Sequence, residues 1–245
     1  MVDLGSPKAL VLITFAAAIL LFVVALLLVS PRGVDLAEES ENITGSPPLL
    51  GEGDNLIYSV NVDGKEFNVS VKAAGRDAVN NCSLLKQESA YHANITGCYS
   101  EQNGSIVYAV VGGSIVSRDV FAGGLPAIHA FEPWMAAAKV GWSGSARVSR
   151  SLKPGFIPML SVGETIETHY WCNETENVFG RAALKVESVT FRRSGRQDGA
   201  RSLIGSRTIW VDVERRVMLK EEAHAGDETA TYSILSAPFL LNAGG

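Results

Sequence analysis

The chain has 245 residues, 47% of them hydrophobic, with 21 Lys and Arg against 26 Asp and Glu. That length holds one or two domains. A net charge of −5 and a pI near 5.4 argue against a nucleic-acid binder, which needs a basic surface.

Residues 1–8 are a short tail. Residues 9–29, "ALVLITFAAAILLFVVALLLV", then run for 21 positions without a charge. As a helix this run would be about 31 Å long, matching the roughly 30 Å hydrocarbon core of a bilayer. It is longer than the apolar part of a cleaved secretory signal, and no small-residue cleavage pattern follows it. The sequence therefore predicts an uncleaved signal anchor that ends near Pro31 and Gly33. One basic residue stands on each side of it, Lys8 and Arg32, so the positive-inside rule does not fix the orientation.

The sequons do. Asn42, Asn68, Asn81, Asn94, Asn103 and Asn173 each begin an N-x-S/T triplet, and they make up six of the eleven asparagines. Chance would supply roughly one or two such matches. All six follow the apolar run. N-glycosylation takes place on the outer face, so the expectation is a cytoplasmic N-terminus and a glycosylated extracytoplasmic domain at the cell membrane.

Residues 30–53, rich in Pro, Gly and acid, read as a linker able to span on the order of 25 Å. The extracytoplasmic domain is expected over 54–245. Its first element is a hairpin, "NLIYSVNVDGKEFNVSVKA", turning at Asp63-Gly64. In its second arm Phe67, Val69 and Val71 alternate with polar residues, which puts Asn68 on the outward face.

Two cysteines follow at Cys82 and Cys98, in a polar stretch dense in sequons. An oxidising compartment would join them, and closing a loop of that length is worth about 3 kcal/mol. The expectation is a stapled, outward-facing loop with little core of its own. Cys172, between aromatics and without a partner in the sequence, reads as a buried free thiol.

Two further runs flank Gly112-Gly113 as a second hairpin. "FEPWMAAAKVGW", 131–142, is the best helix outside the apolar run, with Pro133 in a first-turn position. Five strand-like runs then occupy 164–237, separated by short turns, which implies an antiparallel meander. The expected fold is mainly β (α+β): an N-terminal transmembrane helix, then a β-meander domain with one or two packed helices. This element order is similar to that of curved-sheet periplasmic lipid and lipoprotein carriers, in which a meander wraps an apolar cavity.

Chemistry has few footholds. His92, His129, His169 and His224 are scattered, and His169 and Cys172 would face opposite sides of a strand. "GWSGS" at 141–145 lacks the last glycine of a nucleophile elbow, and no phosphate-binding loop occurs. The sequence predicts no enzyme, no cofactor and no metal site. One basic stretch, with Arg192, Arg193, Arg196, Arg201 and Arg207, is a candidate interaction patch for cell-surface proteins, anionic glycans or anionic lipids.

The function expected is therefore a single-pass, membrane-anchored surface glycoprotein acting as a non-catalytic binding or scaffolding module. Two alternatives stand beside it. "KALV" at 8–11 resembles the processing site of archaeal type IV pilin precursors, which implies cleavage after Ala9 and a filament subunit. The meander suggests a carrier of an apolar ligand or lipid.

Overall fold

A computed structural model of the chain describes residues 31–41, 45–90, 93–116, 128, 130–154, 162–194 and 201–240. The apolar run 9–29, the cleavage position Ala9, Asn42 and Arg196 lie outside these residues. Among the described residues no helix is long and apolar enough to cross a membrane.

Among the described residues thirteen strands form one sheet. In chain order they are β1 (Pro31–Glu41), β2 (Asn55–Val62), β3 (Lys65–Asp77), β4 (Cys82–Ser89), β5 (Ile95–Ser100), β6 (Ile106–Val111) and β7 (Ser114–Val116), then β8 (Trp142–Pro154), β9 (Val162–Val178), β10 (Arg181–Ser194), β11 (Arg201–Asp212), β12 (Met218–Ala225) and β13 (Glu228–Ser236). The spatial order is β1-β8-β9-β10-β11-β12-β13-β2-β3-β4-β5-β6-β7. Two consecutive meanders, β8 to β13 and β2 to β7, thus join where β13 pairs antiparallel with β2.

Local chemistry explains the hairpins. Asp63 and Gly64 both take positive φ (49° and 81°), as do Gly112 and Gly113 (57° and 87°). Two successive left-handed residues match the right-handed twist of the strands they connect. Alternation then buries Leu56, Tyr58 and Val60 on β2 and Val69, Val71 and Ala73 on β3, leaving Asn68 exposed.

The sheet curls around a short segment between β7 and β8. Phe131 meets Tyr99 of β5 with ring centroids 5.3 Å apart, and Trp134 meets Tyr170 of β9 at 5.0 Å. In the sheet order β5 and β9 are eight spacings apart, which would be about 38 Å if the sheet were flat. Phe131 and Trp134 are at most about 11 Å apart along the chain. Both contacts hold together only if the sheet bends so that its inner face wraps this segment. Ile128, Ala130, Phe131, Trp134, Met135 and Ala138 are buried there. Met218 N–H donates to Ala130 C=O at 2.9 Å, and Arg216 Nη1 donates to Ala138 C=O at 2.7 Å.

Three expectations need correction. The stretch expected as a helix forms a single 3-10 turn over Pro133–Ala136. Its side chains are held on several sides by the sheet, whereas an isolated helix of that length has too few bonds to sustain itself. No packed α-helix occurs among the described residues. Residues 31–41, expected within the linker, pair with β8 as the strand β1. That pairing joins segments more than a hundred residues apart, and nothing local in an acidic, Pro-containing stretch signals it. Finally, the stretch around Cys82 and Cys98 is not a core-poor loop. It is the β4–β5 hairpin, with Cys82, Leu85, Ile95, Cys98 and Tyr99 buried. The Cys82–Cys98 disulfide is present, with Cα atoms 5.5 Å apart, and Cys172 is a buried free thiol.

Candidate functional site

One row of cross-strand neighbours on the inner face sets the site. It runs Tyr170, Ser188, Arg207, Ala223, Ala230, Val62 across β9, β10, β11, β12, β13 and β2. On the core side of this row the inner segment fills the curl. On the other side the row opens into a groove of about 290 Å³, walled by Val62, Ile204, Ala223, Ala225 and Ala230. Two adjacent alanines, Ala223 and Ala230, leave this space because a methyl group reaches little beyond the sheet. Thr190, Ser206 and Thr229 add hydroxyls, His224 and Glu228 stand at the edge, and Arg207 closes the inner end.

Arg207 is held from two sides. Its Nη2 donates to Glu132 Oε1 at 2.5 Å and its Nε to Glu221 Oε1 at 2.6 Å. Glu132 comes from the inner segment, and its Oε2 also accepts from Trp134 Nε1 at 2.8 Å. The side chains of Arg207, Glu132 and Glu221 are 27%, 17% and 5% exposed. Burial alone would lower the Arg207 guanidinium, but the carboxylates of Glu132 and Glu221 reverse that and hold it well above its usual range. Burial pushes the Glu221 carboxyl up, against the pull of Arg207. Glu221 Oε2 and Ser188 Oγ are buried beside Arg207 with no hydrogen-bond partner. Two carboxylates therefore share one cation at the junction of core and groove.

Among the four described arginines of the basic stretch, Arg207 is set apart from Arg192, Arg193 and Arg201. Arg207 points inward, because it shares the alternation of Ile209 and Val211, both buried. Arg193 and Arg201 face each other across β10 and β11. The Arg201 guanidinium lies 3.6 Å from the centre of the Phe191 ring and meets His169 Nε2 at 2.9 Å. Arg192, half exposed, pairs with Glu164 at 2.8 Å.

Asn68, Asn81, Asn94, Asn103 and Asn173 are all exposed. Asn81 Oδ1 accepts from Arg76 Nη2 at 2.6 Å, and Asn103 Oδ1 accepts from Ser105 N–H and Oγ. Among the described residues Asp77, Cys82 and Cys98 bring possible metal-ligand atoms together. Both sulfurs of that group are already bonded to each other.

The groove was not foreseen from the sequence. Its signal is the period-two run Arg207, Ile209, Val211, which places a cation on a buried face, opposite the small residues Ala223 and Ala230.

The fold and site define a curved antiparallel sheet, sealed by its own core along part of its inner face and open to a groove beyond it. No protein-family model matches the chain, and no curated protein matches it. Several solved structures are similar to it. The hypothetical lipoprotein YmcC from Escherichia coli K12 is 16% identical with a TM-score of 0.35, over 76% of this chain and 89% of that one. A Parabacteroides distasonis protein described as a lipoprotein is 11% identical with a TM-score of 0.39, over 80% of this chain and 100% of that one. A Bacteroides fragilis protein described as exported, with a YmcC-like fold, is 9% identical with a TM-score of 0.34, over 80% of this chain and 99% of that one.

Proposed function

We propose that this chain is a membrane-anchored, extracytoplasmic, non-catalytic binding domain that holds a slender apolar ligand in the groove beside Arg207. The groove carries this reading. Its volume of about 290 Å³ lies at the low end of ordinary ligand pockets, which combine apolar walls with a few polar groups. Val62, Ile204, Ala223, Ala225 and Ala230 supply the apolar wall, while Thr190, Ser206 and Thr229 supply hydroxyls.

Other features support the location. The apolar run 9–29 is long enough to span a bilayer. A buried disulfide such as Cys82–Cys98 is maintained in oxidising compartments. The sequon asparagines that are described are exposed, as acceptors of N-glycans must be. No cofactor is invoked. Binding modules of this kind need only a rigid shape, and the Arg207 cluster fixes the inner end of the groove.

The test is native mass spectrometry of the intact chain released from a mild detergent micelle. The expected result is a retained lipid-sized adduct, lost when Ala223→Phe and Ala230→Phe fill the groove. A bare chain mass under conditions that preserve the Cys82–Cys98 bond and the fold would refute the reading.

A further inference from the structure

We propose that the end of the sheet formed by β8, β9, β10 and β11 rests on the anionic lipid leaflet from which residues 9–29 emerge. This deepens the reading above and rests on its membrane anchor.

Register supplies the first observation. Pro31, the first residue of β1, stands opposite Pro154, the last residue of β8. The apolar run ends at Val29, two residues earlier, a reach of roughly 7 Å. The chain therefore enters the domain at the end where β8 and β10 finish and β9 and β11 begin. Once anchored, the domain has no long tether to lift that end from the bilayer.

Charge is the second observation. Arg32, Arg147, Arg150, Lys153, Arg192, Arg193 and Arg201 lie on the strands at this end, against Asp35, Glu38, Glu39, Glu164 and Glu167. That is seven cations to five carboxylates, in a chain whose net charge is −5. The local excess is thus opposite in sign to the molecule as a whole. Glu167 is shared, since Arg147 reaches it at 3.3 Å and Arg201 at 3.8 Å. A local basic excess beside a membrane segment is drawn to anionic headgroups and held within a Debye length of them.

Apolar exposure is the third. Leu203, at the start of β11, is 62% exposed, and its cross-strand neighbour Phe191 lies under the Arg201 guanidinium. An exposed leucine beside an arginine stacked on an aromatic ring suits the boundary between headgroups and acyl chains, where apolar bodies sink and cationic tips stay wet. Thr190 and Ile204, which line the groove, adjoin the Phe191 and Leu203 pair in the chain. Among the described sequon asparagines none lies on β8, β10 or β11, and Asn173 on β9 sits beside Cys172, near the strand's other end.

The experiment uses the full chain in phosphatidylcholine vesicles prepared with and without phosphatidylglycerol. A fluorophore is attached at Leu203→Cys or, as a remote control, at Asn103→Cys; Cys172 is buried and does not compete. Lipids carrying a nitroxide on the headgroup serve as quenchers. In anionic vesicles the probe at position 203 should be quenched several-fold more than the probe at 103. Replacing Arg192, Arg193 and Arg201 by Ser should reduce the difference to near nothing. Equal quenching at the two positions, or quenching at 203 that ignores both phosphatidylglycerol and the arginines, would overturn the proposal. Alkaline extraction of the same vesicles reads the anchor separately. If the chain is released, the anchor is wrong. Co-flotation of the released chain with phosphatidylglycerol vesicles then upholds the lipid surface, and its absence overturns it.

Discussion

Arg207 Nη2 lies 2.5 Å from Glu132 Oε1, although the two residues are 75 positions apart in sequence. This bond fastens the inner segment to the sheet at the edge of the groove. Removing the cation leaves the buried Glu221 and the part-buried Glu132 without the guanidinium they share. Arg207→Met should therefore cost about 3–5 kcal/mol, the range for breaking a buried pair from one side. Glu132→Gln leaves Arg207 with Glu221 and retains an acceptor for Trp134, so its cost should be nearer about 1 kcal/mol. Urea titrations of both variants check the order. A larger loss in Glu132→Gln than in Arg207→Met would mean that the cluster does not hold the segment as described.

Glu221 gives a pH signature. Burial raises its folded-state carboxyl above the unfolded value, so the folded state binds its proton more tightly. Between the unfolded pKa, about 4.3, and the raised folded value, the native state carries more protons than the unfolded state. Stability contributed by this group is present at low pH and is lost as pH rises through that window. Carboxylates held low elsewhere, such as Glu176 beside Lys185 and Trp210, act in the opposite direction but equally in any variant that keeps them. The stability of the wild type minus that of Glu221→Gln should therefore fall as pH rises above about 4.3 and then level off. A difference that grows with pH would place the Glu221 carboxyl below its usual range.

The Cys82–Cys98 disulfide bridges β4 and β5 across a sequence separation of 16. Replacing both cysteines by Ala should lower stability by about 3 kcal/mol in the chain-entropy estimate. Because both cysteines are fully buried, reductant should leave the native bond intact until the hairpin opens. Thiol trapping with and without denaturant reads this directly. Rapid reduction in the native state would contradict the burial.

Much of the sheet was legible because its signals are local. Asp63-Gly64 and Gly112-Gly113 announce their turns, and alternating runs such as Phe67, Val69, Val71 announce their strands. The Cys82–Cys98 pairing followed from spacing and context. What escaped depends on partners distant in sequence. β1 is a strand because β8 offers it an edge, not because its residues favour one. The segment around Trp134 is Ala-rich and reads as a helix, yet the sheet grips it on several sides and leaves one turn. Arg207 looked like one more cation in a basic stretch. Period two alone would put Arg201 on the same face as Arg207, Ile209 and Val211; the register shift at Ile204 separates them, and it is set by pairing with β10.

Photo-labelling reads directly whether the groove holds an apolar ligand. Membranes bearing the full chain are given a fatty acid with a diazirine on its chain, irradiated, and digested for peptide mapping. Adducts should concentrate on peptides containing Ile204, Ala223 and Ala230 and should disappear in Ala223→Phe with Ala230→Phe. Adducts spread over exposed apolar residues elsewhere, such as Leu49, Val79 and Ile115, or undiminished by those replacements, would contradict it.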